Sequence, residues 1–145
     1  MSGVAAGAGA TSADLDLVAE VFGASGGVLR VAENKIDDVA AISGSGPAYF
    51  FRFCELLVQA AEQECGFSKD EAVELVSHTA RGAIAYLDAQ EGYPAGRLRQ
   101  EVTSPGGTTQ AALGVFEHED LEGMVSRALQ AAKARAKELN DNANE

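Results

Sequence analysis

The sequence predicts a mainly α-helical fold that is preceded by a short strand–helix–strand segment. Apolar residues recur at helical spacing along most of the 145-residue chain. Stretches that contain glycine or proline divide these periodic runs, as expected for a series of separate helices. Runs with strand character occur only before residue 33. The length suits one domain with a core of its own, or a fragment of something larger.

The first 33 residues predict a strand, a helix and a second strand. We expect the first strand within residues 3–8 and the second at residues 28–31. Between them, Thr11 and Asp14 resemble a capping box at the start of a helix, which the glycines at residues 26–27 end. This is the size of a single βαβ unit. The rest of its sheet is therefore expected to be cut away or to come from a partner.

Residues 34–145 predict a second domain that consists of helices. The stretch Ser43-Gly44-Ser45-Gly46-Pro47 opens a long helix that continues to about residue 65. Proline suits the first turn of a helix, so the glycine before it is the predicted N-cap. This long helix is apolar over most of its circumference. We therefore expect it either at the centre of the core or in a subunit interface.

Four further helices are predicted after this long helix. Gly66 is a good residue to end the long helix, and Ser68 with Glu71 forms a full capping box for the next one. A break at residues 92–94 separates that helix from a short polar helix over residues 94–102. A helix over residues 109–117 and a last one over residues 121–139 follow. The last helix is rich in alanine, which permits close contact between helices.

The segment between the short polar helix and the helix that follows it has the strongest functional signal. Pro105 cannot continue a helix, and Gly106 and Gly107 permit backbone angles that other residues avoid. The N–H groups from Gly106 to Thr109 are expected to converge at a helix N-terminus, which favours an anion. The hydroxyls of Thr108 and Thr109 can bind a second polar group of the same ligand. The alternative is a loop that a threonine caps and that binds no ligand.

Composition excludes several classes of function. The net charge of −11 argues against nucleic acid and anionic membranes as partners, because both attract basic surfaces. No apolar run has the length of a membrane span, and the N-terminus lacks the features of a signal peptide, so we expect a cytoplasmic protein. His78 and His118 lie on different segments, which argues against a metal site. No nucleophile–base pair is visible, and we assign no catalytic residue.

Two motifs together resemble the pyrroline-5-carboxylate reductase family. They are ISGSGPAY at residues 42–49 and RQEVTSPGGTT at residues 99–109. Enzymes of this family reduce 1-pyrroline-5-carboxylate to L-proline with NADPH or NADH, the last step of proline biosynthesis. They join an N-terminal Rossmann domain to a C-terminal helical domain. The resemblance implies that two helical domains interlock into a homodimer, and that such dimers can build larger rings.

The resemblance also implies a substrate site. The family's loop for the substrate carboxylate falls on the segment that starts at Ser104. The backbone of Gly106, Gly107 and Thr108 would hold the carboxylate of pyrroline-5-carboxylate or proline, and the Thr109 hydroxyl would face the ring nitrogen. This agrees with the anion site that the glycines and the helix N-terminus predict without the resemblance.

The chain departs from the family in its nucleotide-binding half. The Ser43–Pro47 turn would border the substrate and the nicotinamide, but no Gly-x-Gly-x-x-Gly fingerprint follows a first strand. Residues 1–33 then correspond to a remnant of the Rossmann-type domain, and this chain alone is expected to bind no NADPH or NADH. Three interpretations stay open: a truncated reductase, a subunit that borrows a nucleotide domain, or a non-catalytic dimerisation or small-carboxylate-binding module.

Overall fold

The computed structural model describes residues 1–90 and 92–143, most of which lie in helices. The predicted fold class, mainly helical after a strand–helix–strand segment, is confirmed. No described helix combines the length and the apolar character that a membrane crossing requires. In chain order, the strands and helices are β1 (Ser2–Val4), α1 (Ser12–Gly23), β2 (Val28–Arg30), α2 (Ile36–Val39), α3 (Gly46–Cys65), α4 (Lys69–Ala89), α5 (Ala95–Glu101), α6 (Thr108–His118) and α7 (Leu121–Ala143).

The described residues form two compact units. One unit contains residues 1–49 and 124–143, and the other contains residues 50–123. The division that we predict between residues 33 and 34 marks a change in sequence character, and it stays a prediction. Each unit is described separately below.

β1 and β2 form a two-stranded parallel sheet, in which Ser2 lies opposite Val28. β1 ends at Val4 and is therefore shorter than the predicted run over residues 3–8. The remainder of that run is alanine and glycine, which are poor strand formers. The N–H of Ala10 instead donates to the carbonyl of Gly7 at 3.0 Å, which closes a turn before α1.

Capping boxes start α1 and α4, as predicted. The Thr11 hydroxyl accepts from the Asp14 N–H, and the Asp14 carboxylate accepts from the Thr11 N–H at 2.8 Å. Ser68 and Glu71 repeat this arrangement at α4. Hydrogen bonds from the capping residues hold the pKa values of Asp14 and Glu71 below their usual range. Gly66 follows α3 with a φ of +75°, which confirms its role at the helix end.

Carboxylates that follow the 3₁₀ turn over Glu33–Lys35 attach α7 to α2. Asp38 accepts from Lys35 Nζ at 2.8 Å and from Lys133 Nζ at 2.7 Å, one lysine on each oxygen. Asp37 Oδ1 accepts from Asn140 Nδ2 at 2.7 Å. The two lysines hold the pKa of Asp38 below its ordinary value of 3.8, chiefly through their hydrogen bonds. Asp38 therefore links three segments of this unit only while it is ionised.

Asp38→Asn is expected to lower the melting temperature at neutral pH. Because the folded-state pKa of Asp38 is depressed, its contribution is present above the unfolded-state pKa and is lost as pH falls through the folded value. The variant and the wild type should therefore converge below about pH 4. Asp141→Asn, which removes the same charge near the end of α7, is the control and should not lower the melting temperature. An equal difference at every pH would contradict the assignment.

Buried side chains are few in the described part of the chain. Phe50 and Phe51, in the second turn of α3, are 65% and 72% exposed in the single chain. Large apolar side chains that are exposed together are typical of a surface that another molecule covers. The location of α3 in a core or in a subunit interface stays a prediction. The buried residues among those described are Val4, Ala41, Gly46, Ala72 and Leu98.

Candidate functional site

A polar network fixes α5 in front of the candidate loop. Arg97 Nε donates to Glu101 Oε1 at 3.1 Å, and the Tyr86 hydroxyl donates to Glu101 Oε2 at 3.2 Å. The Arg97 guanidinium also lies 4.3 Å from the centroid of the Tyr93 ring, within cation–π range. The hydrogen bond to the Glu101 carboxylate raises the pKa of Tyr86. Together with the buried Leu98, these contacts tie the end of α5 to α4.

Short-range hydrogen bonds to backbone carbonyls hold the loop from α5 to α6 in place. The Thr103 hydroxyl donates to the Arg99 carbonyl at 2.6 Å, and the Gly107 N–H donates to the Ser104 carbonyl at 3.0 Å. Gly106 has a φ of +72°, in the region that favours glycine. A Cβ on Gly107 would overlap the Ser104 hydroxyl and lie 3.1 Å from the Ser104 carbonyl oxygen. The shape of this loop therefore requires a glycine at residue 106, whereas a side chain at residue 107 would require Ser104 to shift.

The N-terminus of α6 has amides that receive no acceptor among the described residues, those of Thr108, Thr109 and Gln110. Gly107 is the N-cap and provides no side-chain cap, so the predicted alternative of a threonine cap is wrong. The N–H groups of Thr108 and Thr109 receive no acceptor among the described residues, and both side chains are exposed. The Gly106 N–H donates instead to Gln110 Oε1 at 2.6 Å.

This geometry narrows the set of donors that the sequence predicts for an anion. Of the four predicted amides, those of Gly106 and Gly107 are occupied within the chain, and those of Thr108 and Thr109 are free. Free amides at the positive end of an eleven-residue helix favour a small anion. We missed Gln110 at the sequence level. Gln110 is the third residue of α6, and a glutamine at this position commonly accepts a hydrogen bond from an amide that precedes the helix. This position in the sequence is the signal that could have identified it.

The glycine-rich stretch before α3 is helical and not an open loop. Ala40–Gly44 forms a π-helical turn that continues α2, and the Ser45 N–H donates to the Ala40 carbonyl at 2.9 Å. The predicted N-cap at Gly46 is wrong, because α3 already begins there and Ser45 has helical backbone angles where an N-cap would be extended. The Tyr49 hydroxyl donates to the Ala41 carbonyl at 3.1 Å and fixes the turn.

Gly44 at the end of this turn and Gly46 at the start of α3 both leave room for a Cβ atom. A Cβ placed on Gly44 or Gly46 meets no atom within 4 Å, apart from its chain neighbours and the backbone of its own helix. Contacts within the described chain therefore do not explain why these residues are small. π-helical turns are frequent at functional sites, which favours an approaching ligand or partner here. No group of three or more candidate metal ligands occurs among the described residues.

An exposed apolar helix is typical of a surface that contacts another molecule, and free amides at a helix N-terminus favour a small anion. A family model described as pyrroline-5-carboxylate reductase dimerisation matches residues 33–139. The chain belongs to this family. Pyrroline-5-carboxylate reductase of Mycobacterium leprae is 41% identical over 145 residues, covering 89% of this chain and 49% of the relative. The Arabidopsis thaliana enzyme is 38% identical over 134 residues, covering 92% and 48%.

Solved structures give the same result. A pyrroline-5-carboxylate reductase from Coxiella burnetii matches with a TM-score of 0.87 and 41% identity, covering 94% of this chain and 50% of that one. Pyrroline carboxylate reductase of Plasmodium falciparum, solved with NADP bound, matches with a TM-score of 0.79 and 30% identity, covering 90% and 52%. The chain thus spans about half the length of the relatives that it matches.

Proposed function

We propose that this chain is the dimerising and substrate-binding part of a pyrroline-5-carboxylate reductase, which forms L-proline with NADPH or NADH as the reductant. The observation that supports this most is the N-terminus of α6. The free amides of Thr108 and Thr109 lie within the sequence motif that resembles the family's substrate loop, in a chain that belongs to the family. The substrate class is a small cyclic imino acid with one carboxylate.

The loop from Ser104 to Thr109 holds the substrate in this proposal. The carboxylate binds at the N-terminus of α6, where the backbone N–H groups of Thr108 and Thr109 are free to donate. Gly106 and Gly107 bring the backbone close to the ligand because no side chain intervenes. The Thr109 hydroxyl faces the ring nitrogen.

The proposed reduction needs orientation more than side-chain chemistry. A hydride adds to the ring carbon of the C=N bond, and a proton goes to the ring nitrogen, which becomes the secondary amine of proline. A reduced nicotinamide supplies the hydride when it is bound. The chain's own residues anchor the carboxylate and present one face of the ring, which is sufficient for a large rate effect.

The Ser43–Pro47 turn is the proposed border of the nicotinamide. Gly44 and Gly46 carry no side chain that would keep a ligand away from the backbone, and the exposed Ser45 adds a hydroxyl. The 145 residues contain no Gly-x-Gly-x-x-Gly segment for the pyrophosphate. We therefore propose that a nucleotide-binding domain outside these residues holds the rest of the cofactor, whether in a longer polypeptide or in a partner chain.

We propose that two copies of the chain form a homodimer through α3. Exposed aromatic rings near the start of this helix would be unfavourable in a monomer, and their burial against a second copy removes them from water. The many exposed large apolar side chains, together with a family model named for dimerisation, support an extensive, interlocked interface. Assembly of such dimers into rings is an extension of the same proposal.

Binding and turnover together test the proposed function. The purified chain is titrated with L-proline by calorimetry and is then assayed with pyrroline-5-carboxylate and NADPH, following the loss of the reduced cofactor. We expect binding of L-proline without turnover. Turnover by the chain alone would contradict the proposal that the cofactor site is incomplete. A dimer that binds no L-proline would favour the alternative, a dimerisation module without a substrate site.

Thr109→Ala is expected to weaken the binding of L-proline by about 0.5–1.5 kcal/mol, the value of one hydrogen bond. Binding of cyclopentanecarboxylate, which has no ring nitrogen, should not change. Thr79→Ala is the control, because that exposed hydroxyl bonds only the Leu75 carbonyl within α4 among the described residues. Calorimetric titration of the three proteins measures these differences. An unchanged affinity of the Thr109 variant for L-proline would remove this hydroxyl from the site.

A further inference from the structure

The side chain of Gln110 contacts the backbone of the candidate loop at Gly106. Its Oε1 atom accepts from the Gly106 N–H at 2.6 Å, and its side chain is exposed. The Gly106 N–H is one of the amides that the sequence predicts for the ligand. The neutral carboxamide oxygen of Gln110 thus accepts the hydrogen bond of an N–H group that is expected to bind the substrate carboxylate.

The contact differs from an ordinary helix cap. In a capping box the glutamine at the third helical position bonds the amide of the N-cap residue. Here the N-cap is Gly107, whose N–H is already donated to the Ser104 carbonyl at 3.0 Å. Gln110 reaches one residue further, to Gly106, and covers an amide that would otherwise be as free as those of Thr108 and Thr109.

We propose that Gln110 is a displaceable internal ligand that sets the affinity of the loop for carboxylates. A substrate carboxylate replaces the carboxamide oxygen on the Gly106 N–H. Hydrogen bonds to a charged acceptor are stronger than those to a neutral one, which favours this exchange. The exposed glutamine regains rotamer freedom when it leaves. This inference rests on the proposed substrate site, and it makes Gln110 a residue that determines affinity and not a catalytic residue.

Affinities of position-110 variants for L-proline test the inference. Gln110→Ala and Gln110→Leu remove the competing acceptor, and both should bind L-proline about two- to tenfold more tightly than the wild type. Gln110→Glu keeps an acceptor and adds a negative charge, so it should bind more weakly than the wild type. Cyclopentanecarboxylate should follow the same order, because it shares the carboxylate. L-Prolinamide, which lacks it, should show no such order.

A measurement on the unaltered chain accompanies the variants. During titration with L-proline, the side-chain amide resonances of Gln110 should move together with the backbone resonance of Gly106 in nuclear magnetic resonance spectra. A role restricted to capping predicts a lower melting temperature for Gln110→Ala without tighter binding. Equal or weaker binding by both apolar variants would overturn the inference while leaving the substrate site intact. Failure of the wild type and all variants to bind L-proline would remove the proposed site and the inference with it.

Discussion

Phe51→Asp is expected to convert the protein from a dimer to a monomer at micromolar concentration. Phe51 is 72% exposed in the single chain, so the substitution leaves packing within that chain largely unchanged. In the proposed dimer the aspartate would be buried without a partner, which costs about 3–5 kcal/mol per site. The dissociation constant should therefore rise by more than about a hundredfold. Sedimentation equilibrium measures the mass, and circular dichroism reports the helix content.

The choice of residue separates assembly from folding. Phe53 is also apolar and on α3, but its ring packs edge-on against Phe116 with the centroids 6.3 Å apart. Phe53→Asp should thus disturb the fold of the chain as well as its assembly. Gln59→Asp, at an exposed polar residue of α3, introduces the same residue and charge and should leave the dimer intact. A helical dimer that carries Phe51→Asp would show that α3 does not form the interface.

Gly106→Ala is expected to reduce either the stability of the chain or its affinity for the ligand, depending on whether the loop keeps its shape. Gly106 has a φ of +72°, and a residue with a Cβ that adopts this angle lowers the free energy of unfolding by about 1–2 kcal/mol. If the loop keeps its shape, the free energy of unfolding falls by that amount. If the loop relaxes instead, the amides of α6 lose their arrangement and L-proline should bind roughly 5- to 30-fold more weakly.

A second glycine of α6 provides the matched control for this variant. A Cβ on Gly114 meets no atom within 4 Å beyond its chain neighbours and the backbone of its own helix. Gly114→Ala should therefore stabilise the protein by about 0.5–1 kcal/mol, opposite in sign to Gly106→Ala. Denaturant unfolding and calorimetric titration measure the two quantities. Wild-type stability together with wild-type affinity in Gly106→Ala would contradict the role of this glycine.

Much of the fold is predictable because its signals are local. The capping boxes at Thr11 and Ser68 and the glycine at residue 66 fix helix ends through contacts between residues close in sequence. Such contacts need no tertiary information. The apolar residues over most of the circumference of α3 likewise predict that this helix packs against another surface. This pattern does not decide between the core of the same chain and a second chain.

Other features depend on contacts that the sequence pattern does not encode. A proline after a glycine favours a helix start, yet the chain enters α3 from a π-helical turn that the Tyr49–Ala41 hydrogen bond fixes. The Gln110–Gly106 contact is similar, since it depends on a side-chain rotamer. For the candidate site, the anion-binding character of the loop follows from its glycines and the helix N-terminus. The identity of the anion follows only from the family motifs.

Titration of the isotope-labelled chain with L-proline, followed residue by residue in amide spectra, tests the central proposal most directly. We expect the backbone amide resonances of Ser104 and of residues 106–110 to move with saturable dependence on L-proline and to stay in place with L-prolinamide. Resonances that move elsewhere while this loop stays unchanged, or that respond equally to both compounds, would contradict a carboxylate site at the N-terminus of α6.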